Sequence, residues 1–312
     1  MGRSRLTRTP SRDGLLLVDK PAGITSHDVV LAARRAMGES RIGHAGTLDP
    51  FATGLLVLLL GRATRLLPYM SGEPKRYSAT IRFGSETETD DLEGAVVRTA
   101  PPPARQAVHD ALPALTGTIM QVPPAYSAKR VGGRRAYDLA RRGTAPPLEG
   151  VPVTVHAWRL GGWRDNDLDV EIVCGGGTYI RALARDVGRR TQSAAHLAAL
   201  RRTAIGSFDV ADAASFDDLR QGRVDVRPPL DALAGIDVQP LTPADVTRVA
   251  RGQEVDAVIE GDRAALVSQG SNALVAFAER RGSRWQPRVV MSPPAGPTAP
   301  ETDADDLPVR DA

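Results

Sequence analysis

The sequence predicts an α/β (α+β) protein built around a central sheet, with a small second domain towards its C-terminal end. Three features carry that prediction. The run Leu55-Leu56-Val57-Leu58-Leu59-Leu60, bounded by Gly54 and Gly61, is too short for a typical buried helix and suits a strand covered on both faces. From Tyr77 onward, Tyr77, Ala79, Ile81 and Phe83 share one face while Ser78, Thr80 and Arg82 share the other, the period-two signature of a half-buried strand. Near 230–236 the apolar pattern resets. A helix over 242–252 and short apolar runs at 264–267 and 273–277 then predict a small α+β or barrel-like domain over 237–292.

The remaining elements of the larger domain, 13–236, follow in order. Residues 14–19 read as a short strand. Thr25-Ser26-His27-Asp28 offers N-cap candidates for a helix carrying Val29, Val30, Ala33 and Met37, which Gly38 stops. The stretch 121–150 holds Pro123-Pro124, Gly132-Gly133 and Pro146-Pro147, so about 124–150 is expected to be a long mobile insertion with at most one short helix. Residues 168–173 alternate as a strand. Gly175-Gly176-Gly177 then turns the chain into a helix with Ile180, Leu183, Ala184 and Val187 inward, and Arg181, Arg185 and Arg189 aligned on another face. The ends, 1–12 and 293–312, are rich in charge, Pro and small residues without apolar periodicity and are expected to be disordered.

A chain of 312 residues that is 42% hydrophobic can bury a substantial core. Its longest apolar run is far too short to span a bilayer, and the basic N-terminal stretch has no signal-like apolar segment behind it, so a cytoplasmic protein without membrane contact is expected. The single cysteine, Cys174, excludes an intrachain disulfide and a cysteine-based zinc cluster, and reads as a small buried residue near a strand end. The formal charge of +3 says little, but its placement says more. Lys129, Arg130, Arg134, Arg135, Arg141 and Arg142 face Asp138 alone, whereas the tail sets Glu301, Asp303, Asp305, Asp306 and Asp311 against Arg310. The acidic tail thus hides part of the basic character of the body.

The densest chemistry lies in Arg41-Ile42-Gly43-His44-Ala45-Gly46-Thr47-Leu48-Asp49-Pro50-Phe51-Ala52-Thr53-Gly54. Its glycines and proline make a backbone too irregular for helix or strand, a rigid loop at the mouth of a buried strand. His44 and Asp49 on that loop could be an acid–base pair, a nucleophile with a helper, or turn chemistry, since Asp before Pro is a common turn former. A metal site is disfavoured because the five histidines are scattered.

The string 43–54 resembles the G-H-x-G-[TA]-L-D-P-x-A-[TS]-G signature of the TruB family of tRNA pseudouridine synthases. Four more segments match in the family's order: Asp19-Lys20-Pro21-Ala22-Gly23-Ile24-Thr25-Ser26, Lys75-Arg76-Tyr77, Gly177-Thr178-Tyr179-Ile180-Arg181-Ala182-Leu183 and His196-Leu197-Ala198-Ala199-Leu200-Arg201-Arg202. The resemblance covers residues 14–206 well and the C-terminal domain loosely. It implies a pseudouridine synthase fold, with a central mixed, largely antiparallel sheet flanked by helices and a small PUA-like C-terminal RNA-binding domain. It also implies an isomerase that converts uridine 55 in the TΨC arm of tRNA, as a monomer, with no cofactor and no required protein partner.

Asp49 is then the expected nucleophile, with Arg181 pairing to it and keeping it ionised. Tyr77 is expected to stack on the flipped uracil and to take part in removing its C5 proton, Tyr179 to line the pocket, and Leu200 to close its apolar wall. His44 resembles the residue that fills the stack vacated by the flipped base. Lys20 is expected to give structural support or touch phosphate. Lys129, Arg130, Arg134 and Arg135 would hold the RNA backbone. Each has a plainer reading: an aromatic on an apolar strand face is usually core, and aligned arginines are usually a solvated helix face. A methyltransferase would need a Gly-rich nucleotide loop after the first strand, which 14–26 does not supply. A tRNA-folding chaperone or a guide-dependent relative would share the basic features. Replacing Lys129, Arg130, Arg134 and Arg135 by Ala is expected to weaken tRNA binding and to lower the log–log salt slope by roughly 0.7–0.9 per lost phosphate contact. An unchanged slope would mark a merely solvated loop.

Overall fold

The computed structural model describes residues 13–70, 72–126 and 148–291, together with the backbone of 130–131 and 134–135. The two terminal arms and most of the basic insertion lie outside the described residues. The chain divides into two compact units between Ala234 and Gly235.

In chain order the first unit carries β1 (Gly14–Lys20), α1 (Ser26–Met37), β2 (Ile42–His44), β3 (Thr53–Leu60) and β4 (Lys75–Phe83). A ribbon of β5 (Ser85–Thr87) and β6 (Val96–Thr99), α2 (Arg105–Ala111), β7 (Gly117–Gln121) and a second ribbon of β8 (Arg130–Val131) and β9 (Arg134–Arg135) follow. The unit continues through β10 (Val151–Arg164), β11 (Asp167–Cys174), α3 (Ile180–Arg190), β12 (Ala195–Ile205), β13 (Phe208–Asp209), β14 (Ala214–Ser215) and α4 (Phe216–Arg220). The main sheet runs β14-β1-β3-β12-β4-β11-β10-β7, with β2 beside β3 and β13 beside β12. The β1–β14 and β3–β12 pairs are parallel and the others antiparallel, which is the mixed, largely antiparallel sheet expected.

The local reasons are legible. All six residues 55–60 are 0% exposed, so β3 is covered on both faces, and each such side chain stabilises the fold by about 1.5–3 kcal/mol. At its start Gly54 adopts φ +105°, and a Cβ there would come within 2.2 Å of the Arg202 carbonyl oxygen, so only glycine lets β3 and β12 approach so closely. Helix α1 opens with a capping box: Thr25 Oγ1 accepts from the Asp28 N–H at 3.1 Å, and the Thr25 N–H donates to Asp28 Oδ2 at 2.8 Å. Gly38, at φ 63°, ends it as the sequence predicts. Val29, Val30, Ala33 and Met37 pack on Leu16, Val18, Leu56, Leu58 and Leu60. A second core joins Tyr77, Ala79, Ile81 and Phe83 of β4 to Ile180, Leu183, Ala184 and Val187 of α3. Cys174 ends β11, free and fully buried.

Among the described residues the second unit is a five-stranded sheet with one helix. Its strands are β15 (Val238–Leu241), β16 (Val255–Asp256), β17 (Arg263–Ser268), β18 (Leu274–Arg281) and β19 (Arg284–Val290), in the order β15-β17-β18-β19-β16. Helix α5 (Pro243–Ala250) follows the Thr242 cap within the predicted span. Trp285, fully buried, donates its indole N–H to Gln239 Oε1 at 2.6 Å and carries the Arg280 guanidinium 4.5 Å above its ring. Strands β15 and β19 were not among the predicted runs, because Gln239, Pro240, Gln286, Pro287 and Arg288 interrupt their apolar pattern. Among the described residues no helix is long and apolar enough to cross a membrane.

Candidate active site

The loop between β2 and β3 is held from several sides, and Asp49 sits on it. Ser26 Oγ, at the first position of α1, accepts from the Leu48 N–H at 2.9 Å and donates to the Leu48 carbonyl at 3.1 Å. Pro50 O accepts from the Gly23 N–H at 2.9 Å and from Lys20 Nζ at 3.2 Å. Lys20 Nζ also donates to the carbonyls of Pro21 at 2.9 Å and Ile24 at 2.7 Å. All three of its N–H groups are thereby committed, and the residue is fully buried. These contacts make Lys20 a fastener of the loop. Burial pulls its ammonium down to about 8, against the opposing attraction of Asp49.

Arg181, in the first turn of α3, reaches Asp49 across the sheet as a fork. Its Nε donates to Oδ2 at 3.0 Å and its Nη2 to Oδ1 at 3.1 Å. Nη1 donates to Thr89 O at 2.7 Å and lies 3.3 Å from Asp91 Oδ2, while Nη2 also donates to Tyr126 O at 2.9 Å. The guanidinium is 6% exposed and the Asp49 side chain 35%, so the carboxylate has one open side while its cation has none. Burial raises the Asp49 carboxyl above its ordinary range, Arg181 opposes the rise, and Asp91 adds to it.

The solvated-face reading of the arginine stripe on α3 fails at its first two positions. Arg185 is as buried as Arg181 and pairs with Asp90 at 2.8 Å; Arg189, more exposed, pairs with Glu86 at 2.9 Å. Glu86, Asp90 and Asp91 thus form an acidic edge facing the basic stripe, which the sequence reading missed. The available signal was the acidic run Glu86 to Asp91 beside three arginines one helical turn apart. Burial pushes the Asp90 carboxyl up to about 6 despite Arg185.

Tyr77 and Leu200 are 7% and 8% exposed and belong to one apolar cluster with Leu48, Ala52 and Ile180, against which Phe51 packs. The structure therefore gathers Asp49, Arg181, Tyr77 and Leu200, residues far apart in sequence, about one loop. Tyr179 is the N-cap of α3 and half-buried. Its N–H donates to Gln121 Oε1 at 2.9 Å and its carbonyl accepts from Gln121 Nε2 at 3.1 Å, so the fully buried Gln121 clamps it. His44 ends β2, half-buried, and its Nδ1 finds no hydrogen-bond partner among the described residues. Burial first, and Arg202 second, lower its pKa, so the imidazole is neutral at neutral pH. Of the basic cluster, Lys129 and the side chains of Arg130, Arg134 and Arg135 lie outside the described residues; their backbone pairs Arg130 with Arg135 in the β8–β9 ribbon. Among the described residues no three His, Cys, Asp or Glu side chains converge as a metal site requires.

A model of the TruB family pseudouridylate synthase N-terminal domain matches residues 34–180. The chain is 44% identical over 291 residues to tRNA pseudouridine synthase B of Thermobifida fusca strain YX, covering 90% of this chain and 99% of that protein. It is 45% identical over 296 residues to the protein of the same name from Leifsonia xyli subsp. xyli, covering 90% and 97%. Among solved structures it is similar to a Cbf5-Nop10-Gar1 complex, with a TM-score of 0.67 and 21% identity over 90% of this chain and 85% of that one. A likeness at that identity shows the fold alone.

The opposing effects on Asp49 give a signed expectation. Removing the Arg181 guanidinium leaves burial and Asp91 acting in the same direction. In Arg181→Met the Asp49 carboxyl is therefore expected to titrate at higher pH than in the wild type and to be more protonated at neutral pH. Carboxyl ¹³C NMR of Asp-labelled protein reads this, with Asp49→Asn to assign the signal. Titration at the wild-type pH would show that the fork does not control the carboxylate.

Proposed function

The chain belongs to the TruB family of pseudouridylate synthases, and from that premise we propose that this tRNA isomerase acts on uridine 55 of the TΨC arm, with Asp49 at the reaction centre. The fork from Arg181 to Asp49 carries this reading. It orients a carboxylate and opposes its protonation beside an apolar wall of Tyr77, Leu200 and Leu48, where a base can be held out of water.

Pseudouridine formation breaks the C1′–N1 glycosidic bond, turns the uracil and joins it through C5. Every atom of the uridine is retained and no electron is exchanged with an outside partner, so the chemistry is assigned to side chains alone, without a cofactor. The Asp49 carboxylate serves as the nucleophile or as the anion that supports a glycal-type intermediate. Tyr77 stacks on the flipped uracil and takes part in removing the C5 proton, while Tyr179 and Leu200 bound the pocket. A uridine inside a folded T-loop must leave its stack to be reached, and His44, neutral and with its Nδ1 unpartnered, is assigned to the vacated space. The basic insertion and the PUA-like second unit, taken as the domain over 237–292, are assigned to the RNA backbone. The protein is expected to work in the cytoplasm as a monomer, without a guide RNA or protein partner.

The test is incubation of the purified protein alone with unmodified tRNA transcripts, followed by mapping of pseudouridine at nucleotide resolution. The reading expects conversion at position 55 and none in a transcript carrying cytidine there. Conversion elsewhere would overturn the site, a requirement for added factors would favour a guide-dependent relative, and tight binding without product would favour a folding chaperone.

A further inference from the structure

Arg202 is 1% exposed and is bound by neutral groups: its Nε donates to Leu55 O at 2.8 Å and its Nη2 to Gly46 O at 3.0 Å. The other two deeply buried arginines among the described residues of this unit behave differently. Arg181 meets Asp49 and Asp91, and Arg185 meets Asp90, whereas Arg202 has no carboxylate partner among the described residues. A buried cation without a counter-charge is costly and calls for an explanation in function. Its cross-strand neighbour is Tyr77. The two residues stand directly opposite each other in the β4–β12 pairing, which sets the buried guanidinium beside the buried phenol. Arg202 also borders the catalytic loop, since a Cβ on Gly46 would lie 3.5 Å from its Nη1 and 3.6 Å from Lys75 Nζ.

We infer that Arg202 is a positioning residue that holds the Tyr77 phenol and stabilises its oxygen as a phenolate, the form in which Tyr77 can take the C5 proton. The inference rests on the role proposed for Tyr77 in that step. The phenol first releases its proton to solvent. The phenolate oxygen then accepts the proton from C5, and the electron pair of the C5–H bond returns to the ring as the C5–C6 double bond. The hydrogen lost from C5 is matched by one gained at N1 from solvent, so atoms and electrons balance. The surroundings fit this use. Tyr77 is faced by Arg202 from β12, by Cys174 from β11 and by Asp49 from the loop, while Lys75, His44 and Lys20 lie near Arg202. The Cys174 thiol is pushed up to about 11 by burial and stays neutral, and burial holds the Tyr77 phenol above its ordinary value even with Arg202 beside it. Arg202 is the group on Tyr77 that works against that rise.

The experiment pairs a spectroscopic and a kinetic readout on the full chain. Phenolate absorbance is titrated in wild type, Arg202→Gln and Arg202→Lys, with Tyr77→Phe subtracting the other tyrosines. Single-turnover pseudouridine formation is followed from pH 6.5 to 9.5 in the same proteins and in the Tyr77→Phe/Arg202→Gln double variant. Arg202→Gln is expected to move the Tyr77 titration upward by about one unit or more and to slow turnover at neutral pH about tenfold per unit, with the deficit shrinking as pH rises. In the Tyr77→Phe background the same change is expected to add nothing. Arg202→Lys, which keeps the charge, is expected to retain the wild-type pH profile, and carries the test if the Gln variant does not fold. An unmoved phenol titration in Arg202→Gln, or an upward-displaced profile in Arg202→Lys, overturns the inference. A moved titration with a pH-independent loss that persists without Tyr77 overturns instead the proton-removal role on which it rests.

Discussion

A carboxylate placed in a poorly solvated pocket tends to take up a proton and lose its chemical use, and the fork from Arg181 to Asp49 is what opposes that tendency here. The two residues lie 132 positions apart, so the site exists only once the β2–β3 loop and the start of α3 have been brought together by the sheet. Much of the first unit can be understood as the means of that approach. Gly54 lets β3 lie against β12, Ser26 pins Leu48 on one side of Asp49, and Lys20 pins Pro50 on the other. The loop is fixed from both flanks by contacts that do not involve Arg181, which is the support a group needs if its geometry is to be set in advance of substrate binding.

The same logic extends along α3. Three arginines one turn apart would repel one another if left together on a helix, yet each finds its own acid: Asp49 with Asp91, then Asp90, then Glu86. Exposure rises along this series, from 6% at Arg181 through 8% at Arg185 to 57% at Arg189. Arg185 and Asp90 are both buried, so removing one would strand the other's charge out of water, a loss of about 3–5 kcal/mol, whereas Arg189 is largely exposed and its partner Glu86 is held by Arg98 as well. The inner pairs therefore fix how α3 meets the acidic edge, and through it the direction in which Arg181 points.

What was legible in the sequence divides along physical lines. Elements set by local pattern were readable: the covered strand at 55–60, the alternation of β4, the capped helix α1 and the helix after the triple glycine. Asp49, Arg181, Tyr77 and Leu200 were named through the resemblance of five ordered segments, and the fold brings those four together. The pattern did not disclose residues whose meaning depends on a distant partner. Asp91 looks like one acid among several until Arg181 is seen against it, and Gln121 looks like a loop residue until it clamps Tyr179. Lys20 lies in a signature segment, but only the three carbonyls around its ammonium show that it fastens the loop. Arg202 is the clearest case, since a basic residue in an Arg201-Arg202 pair reads as surface until one of them proves to be 1% exposed.

On the proposed function, the Asp49 carboxylate performs the chemistry, while RNA binding is spread over many other contacts. Single-turnover pseudouridine formation by Asp49→Asn, measured beside its equilibrium affinity for the same unmodified tRNA, tests this most directly. No detectable product is expected, with affinity within about tenfold of the wild type, because one neutralised pocket group leaves the phosphate contacts in place. Retained turnover in a folded Asp49→Asn protein would contradict it.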